Sequence, residues 1–124
     1  MVKIKIKDLG MTKAVEVKNS IKNKKKMGIV QLALLKEQDD TTDINTPLEE
    51  VQQGMNLIQE IEDFLIDVLK LDKKQVEKME DLEEEQLGMI VGEVIIRIQG
   101  ASEKDIEDYY KERDEESPLA EEKD

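Results

Sequence analysis

Val2, Ile4 and Ile6 alternate with Lys3, Lys5 and Lys7, and Val15 and Val17 alternate with Glu16 and Lys18. A period of two puts the branched side chains on one face and the charges on the other, so residues 2–18, with Gly10 in the connection, predict a β-hairpin that needs something to pack on. The period then lengthens. Asn19 or Ser20 can cap a helix spanning 19–37, along which Ile21, Ile29, Leu32 and Leu35 fall roughly on one side. Met27 to Leu35 is apolar nearly all round, which predicts the centre of the core.

Residues 38–45 are polar and turn-forming. Thr46, Pro47 and Glu49 then give an N-cap, a first-turn proline and a capping-box carboxylate in the correct order, opening a helix over 47–71. Asp72 with Gln75 predicts a cap for a short helix through Met79. Asp81 with Glu84 predicts the start of a third main helix over 81–99 that ends at Gly100, and Ser102 with Asp105 starts a short acidic helix that frays near Glu116. The expected fold is therefore mainly α: a small N-terminal β-hairpin, three main helices with short ones beside them, one domain over 1–111, and a disordered acidic tail over 112–124.

The two later helices carry more apolar surface than one neighbour can cover. On 81–99, Leu87, Ile90, Val91, Val94, Ile95 and Ile98 fill an arc of about 140°, the expected core face. Leu82, Met89 and Ile96, spaced by seven, gather on the opposite side as a strip roughly 21 Å long. On 47–71, Val51, Met55, Ile58, Leu65 and Leu69 form the ordinary face, while Leu57, Phe64 and Leu71 widen the apolar arc to about 220°. Leu57, Phe64, Leu71, Leu82, Met89 and Ile96 are thus the candidate residues for binding a protein partner, or a second copy, since contiguous exposed apolar area marks such interfaces.

Composition changes this picture mainly by subtraction. With 31 acids against 19 bases the 124-residue chain has a net charge of −12, which disfavours nucleic acid or an anionic membrane as the main partner. The charge is uneven: residues 1–37 hold ten lysines against three acids, whereas the remainder holds nine bases against 28 acids. No Cys and no His leave no thiolate, imidazole or common zinc site, so no catalytic residue, metal or cofactor is expected. Asp39 to Glu50 has the acid spacing of a calcium loop but places Ile44 where the loop requires glycine. Glu83, Glu84 and Glu85 read as first-turn acids favouring the helix dipole. The lysines at 22, 24, 25 and 26 lack the interleaved aromatics of a nucleic-acid surface. Without an apolar stretch near 20 residues or a signal-like block, the chain is expected in the cytoplasm.

The lysine-rich opening KIKIKDLG, the second strand AVEVK leading through Asn19 into a helix, and the closing pattern DLEEEQLGMIVGEVIIRIQG before an acidic tail together resemble the tail assembly chaperones of long-tailed (siphovirus-type) bacteriophages and prophages, particularly of Gram-positive hosts. The resemblance spans residues 1 to about 110 and rests on element order, with no invariant chemical motif. It implies a small helical protein without enzymatic activity that binds the tape measure protein, keeps it soluble and helps recruit tail tube subunits in the host cytoplasm, without entering the finished virion. The family often makes a longer product by frameshifting near the end of the reading frame. A reading from another class is an acidic regulatory module, such as a nucleic-acid mimic or an antitoxin, that binds a basic protein through its carboxylates.

Overall fold

The computed structural model describes residues 2–38 and 46–116. Residues 39–45 of the Asp39–Glu50 segment and residues 117–124 of the tail expected over 112–124 lie outside them. Strands β1 (Val2–Ile4) and β2 (Val15–Val17) pair antiparallel, with Val2 opposite Val17, Lys3 opposite Glu16 and Ile4 opposite Val15. Their connection contains a single 3-10 turn, Lys7–Leu9, closed by Gly10 at φ 75°, a left-handed conformation that glycine adopts without a steric penalty. Alternation does what the sequence pattern requires, because Ile4, Ile6 and Val17 are buried while Lys3, Lys5 and Lys7 face water.

Five helices follow: α1 (Ile21–Gln38), α2 (Pro47–Leu69), α3 (Lys73–Glu80), α4 (Glu84–Ile98) and α5 (Glu103–Glu116). Their starts are chemically marked. The Ser20 hydroxyl accepts from the Asn23 N–H at 3.2 Å, and the Thr46 hydroxyl accepts from the Glu49 N–H at 3.0 Å ahead of Pro47. Asp72 with Gln75 and Ser102 with Asp105 form reciprocal caps, each satisfying two otherwise orphaned N–H groups. The cap expected at Asp81 lies two residues further on: Glu83 and Gln86 make that box, and Asp81 instead terminates α3. The α5 helix runs to Glu116, where the sequence predicts that it frays.

α1 and α2 form an antiparallel helical hairpin. The start of α1 lies beside the end of α2, where the Lys26 ammonium is 3.5 Å from the Asp67 carboxylate, and its end shares a groove with the first half of α2. The core fills the space between this hairpin, the two strands and α4. Leu65, Leu69, Val91, Val94, Ile4 and Leu9 are almost fully enclosed there. The expected core face of α4 is confirmed entire, since Leu87, Ile90, Val91, Val94, Ile95 and Ile98 are all buried. On the far side, α3 packs on the 3-10 turn, and Met79 seals that contact.

α5 is fastened to α4 by polar groups. Glu93 is buried, yet it accepts from Arg97 Nε at 2.7 Å and from the Tyr110 hydroxyl, while the other side of the Arg97 guanidinium grips both Glu103 oxygens at 2.7 and 3.3 Å. A buried carboxylate is tolerable only when paired and hydrogen-bonded in this way. The Tyr109 hydroxyl donates to the Met89 carbonyl at 3.2 Å, and it occupies the space a side chain at position 92 would need. Of the two glycines in the GMIVG segment, Gly92 is therefore the one fixed by packing; a Cβ at Gly88 would meet nothing within 4 Å.

Candidate protein-binding surface

The sequence pattern of α1 and α2 misplaces the solvent. α1 buries Met27 and Val30, with Leu34 half-buried, and these fall with Asn23 within roughly 60° at 100° per residue. Ile21, Ile29, Leu32 and Leu35 lie on the opposite side and face water. Met27 to Leu35 is thus not the centre of the core: α1 packs principally on α2 and has only one covered stripe. Leu48, Val51 and Met55 of α2 are exposed as well, although Val51 and Met55 belong to the same apolar face as the buried Leu65 and Leu69. The reason is length. α2 has 23 residues, about 34 Å, against 15 residues and about 22 Å for α4, so its first half projects past the helix meant to cover that face.

Seven large apolar side chains, Ile21, Ile29, Leu32, Leu35, Leu48, Val51 and Met55, are each 54–78% exposed. The two groups point apart: Ile29, Leu32 and Leu35 lie on the side of α1 away from α2, and Leu48, Val51 and Met55 on the side of α2 away from α1. Between the two helices a shallow groove is lined by Ala33 and Lys36 of α1 and by Gln53, Asn56, Leu57 and Glu60 of α2. Scattered exposed leucines are ordinary, but a run of exposed apolar side chains along one face of a helix, here one on each helix, is of the kind that marks an interaction site.

The six residues predicted from sequence sit elsewhere. Phe64 is a correction: at 3% exposure it is a core residue, because α1 covers it beside Val30 and Lys26. Leu57 is half-buried in the groove floor, and Leu71 and Leu82 are half-buried against the core. Met89 and Ile96 are half-buried on α4, with Met89 lining a hollow beside Tyr110 and Asp8. The wider apolar arc of α2 was a true signal, but α1 answers most of it. What sequence reasoning missed was the stripe on α1 itself. Its signal was the overall apolarity of Met27 to Leu35, which is more than one neighbour covers; among the described residues α1 packs principally on α2.

Charge around the site is divided. α1 carries five lysines and no carboxylate between Ile21 and Lys36. On the other side of the molecule, Ile58, Glu62, Met79, Glu80, Leu82, Glu84 and Leu87 line an acidic hollow. Burial, followed by the nearby charges of Glu80 and Asp63, raises the Glu62 carboxyl above its ordinary value. Among the described residues no three Asp or Glu side chains converge as a metal site, and no helix is long and apolar enough to cross a membrane.

Among the described residues, a helical scaffold with exposed apolar stripes on two of its helices has the surface of a protein-interaction module. The chain matches the family model of phage tail assembly chaperone proteins (TAC) over residues 2–116, nearly its whole length, and it belongs to that family. No curated protein and no solved structure matches it.

Proposed function

We propose that this chaperone binds the tape measure protein of a long-tailed phage, keeps it soluble before the tube encloses it, and helps bring tail tube subunits to it, without catalysing a reaction. The observation that carries the reading is the set of apolar side chains held in water on the outward faces of α1 and of the first half of α2. A long helical client with bare apolar faces aggregates unless those faces are covered, and reversible covering requires an apolar surface of the same kind. Excess negative charge over the rest of the molecule keeps the loaded complex from precipitating. The work takes place in the host cytoplasm, and the chaperone leaves before the virion is finished.

Of the six residues first singled out, Leu57 joins this surface from the groove floor. Leu82, Met89 and Ile96 keep partial exposure on the α4 side and form a second, smaller surface for a client or another copy. Co-expression with a tape measure fragment tests the reading. Leu32→Glu with Met55→Glu should abolish its solubilisation while leaving the helical circular dichroism intact; undiminished soluble yield and co-purification would overturn the site. Met89→Glu with Ile96→Glu reports separately on the second surface. Binding that persists at moderate salt through its apolar contact favours this reading over an acidic module held by carboxylates alone.

A further inference from the structure

The outward face of α1 has a finer order than a general apolar patch. Ile21, Lys25, Gly28, Leu32 and Leu35 follow one another at intervals of four, three, four and three residues, the spacing of a coiled-coil seam. They fall within an arc of about 80° and extend over roughly 21 Å, two heptads. Ile21, Lys25, Leu32 and Leu35 are exposed, and a Cβ at Gly28 would meet nothing within 4 Å, so among the described residues nothing seats on the seam. The positions flanking such a seam are Lys22, Ile29 and Lys36 along one edge and Lys24 and Gln31 along the other. All five are exposed, and three are lysines.

We infer that the α1 seam is half of a heterotypic coiled coil whose other half is an amphipathic helix with carboxylates flanking its apolar stripe. Flanking charges choose the partner in such pairs, and lysines along both edges select Glu or Asp. The same lysines disfavour the obvious alternative of a second α1 seated on the first, since symmetric pairing sets lysine against lysine. The net charge of −12 does not cancel this preference. At physiological ionic strength fields decay over about 8 Å, so a docked helix responds to the groups beside it. These are the lysines of α1 and, along the edge of Ile29 and Lys36, Glu60, Asp63 and Asp67 of α2. Lys24, on the edge away from those acids, and Lys25 on the seam are thus the stronger selectors. Gly28 leaves a notch at the middle of the seam, suited to one large apolar side chain from the partner. The inference rests on the client-binding reading and deepens it by stating what the bound segment is made of. It also gives the lysine cluster a purpose, as the selective edge of the site.

The test uses the full-length protein and three designed helical peptides with identical Leu and Ile seams and with Glu, Gln or Lys at the flanking positions. Anisotropy at low salt should show the Glu peptide binding about tenfold tighter than the Gln peptide, as three flanking charge pairs would give, and the Lys peptide weakest. Lys22→Glu, Lys24→Glu and Lys36→Glu together should invert that order. These side chains are exposed, so the triple variant keeps its fold, and circular dichroism checks this. Equal affinity for all three peptides would overturn the inference, as would an order unchanged by the triple variant. Lysine-dependent binding to phosphatidylglycerol vesicles or duplex DNA, without binding of the Glu peptide, would overturn it in favour of another partner class. If Leu32→Glu abolishes solubilisation of a tape measure fragment but the triple variant changes neither that nor the peptide order, the functional reading stands and this inference falls. If the peptides behave as expected and no tape measure fragment is solubilised, the functional reading is the one that fails.

Discussion

The Tyr109 hydroxyl of α5 lies over Gly92 of α4, in the space a side chain at that position would fill, and it is held there by its hydrogen bond to the Met89 carbonyl. Four other glycines make an informative comparison. Gly10 and Gly100 have positive φ, whereas Gly28 and Gly88 are ordinary helical positions with open space above them.

Gly92→Ala is therefore expected to destabilise the protein despite alanine's better helix propensity, by about 1–3 kcal/mol, because a rigid ring and its hydrogen bond must move. Gly88→Ala should stabilise by about 0.5–1 kcal/mol, since nothing opposes the gain in propensity. Urea unfolding of the two variants, read by circular dichroism, measures both signs in one experiment.

The Glu93–Arg97 pair predicts a larger effect. Arg97→Met removes the partner that the buried Glu93 carboxylate depends on and should cost about 3–5 kcal/mol, typical of leaving one charge of a buried pair uncompensated. Tyr110→Phe removes one donor but leaves the arginine in place, so its cost should stay near 1 kcal/mol. Thermal unfolding of both variants checks the ranking.

Attachment of α5 should fail at both ends of the pH scale. The Arg97 guanidinium holds the Glu103 carboxyl below its ordinary value, so this contribution is present above the unfolded carboxylate range and is lost as pH falls through the folded value. Burial, then the hydrogen bond to Glu93, raises the Tyr110 hydroxyl well above the usual value near 10; its contribution is present below that value and declines as the pH rises beyond it. Both tyrosines of the chain lie on α5, and there is no tryptophan, so intrinsic tyrosine emission reports this helix directly. Emission should change below about pH 4 before the far-ultraviolet helical signal does. The alkaline change should be smaller in Tyr110→Phe.

Glu62 gives the opposite sign. A carboxyl raised by burial, Glu80 and Asp63 opposes folding once ionised, so Glu62→Gln should raise stability at pH 7, and the gain should shrink as pH falls through the raised value. A urea midpoint series across that range tests it; a gain independent of pH would point to something other than charge.

The exposed and buried apolar residues of α2 should separate cleanly. Phe64→Ala is expected to cost about 3–5 kcal/mol, while Leu48→Ala should stay within about 0.5 kcal/mol although it also deletes a large apolar group. Equal losses would mean that the projecting end of α2 is covered after all.

Local chemistry was well written in the sequence. The caps at Ser20, Thr46, Asp72 and Ser102, the alternating strands and the buried face of α4 all depend on residues within a few positions of one another, and each is found where the pattern puts it. The Glu83 cap was displaced by two because several acids in a row offer competing registers. What the pattern did not carry was which of two apolar faces meets a neighbour. Phe64 and Leu32 look alike in a helical wheel, and their difference depends on the path of another helix and on α4 ending before α2 does. The family pattern was recognisable because it resides in the order of elements, and the exposed apolar faces were not, because they reside in what that order leaves uncovered.

The polar clamp is built from α4 and α5, whereas the exposed Leu32, Leu35, Leu48 and Val51 belong to α1 and α2. Substitutions at those four positions should therefore carry little structural penalty. The outward faces of the first two helices can change one exposed residue at a time while the folding of the rest goes on undisturbed.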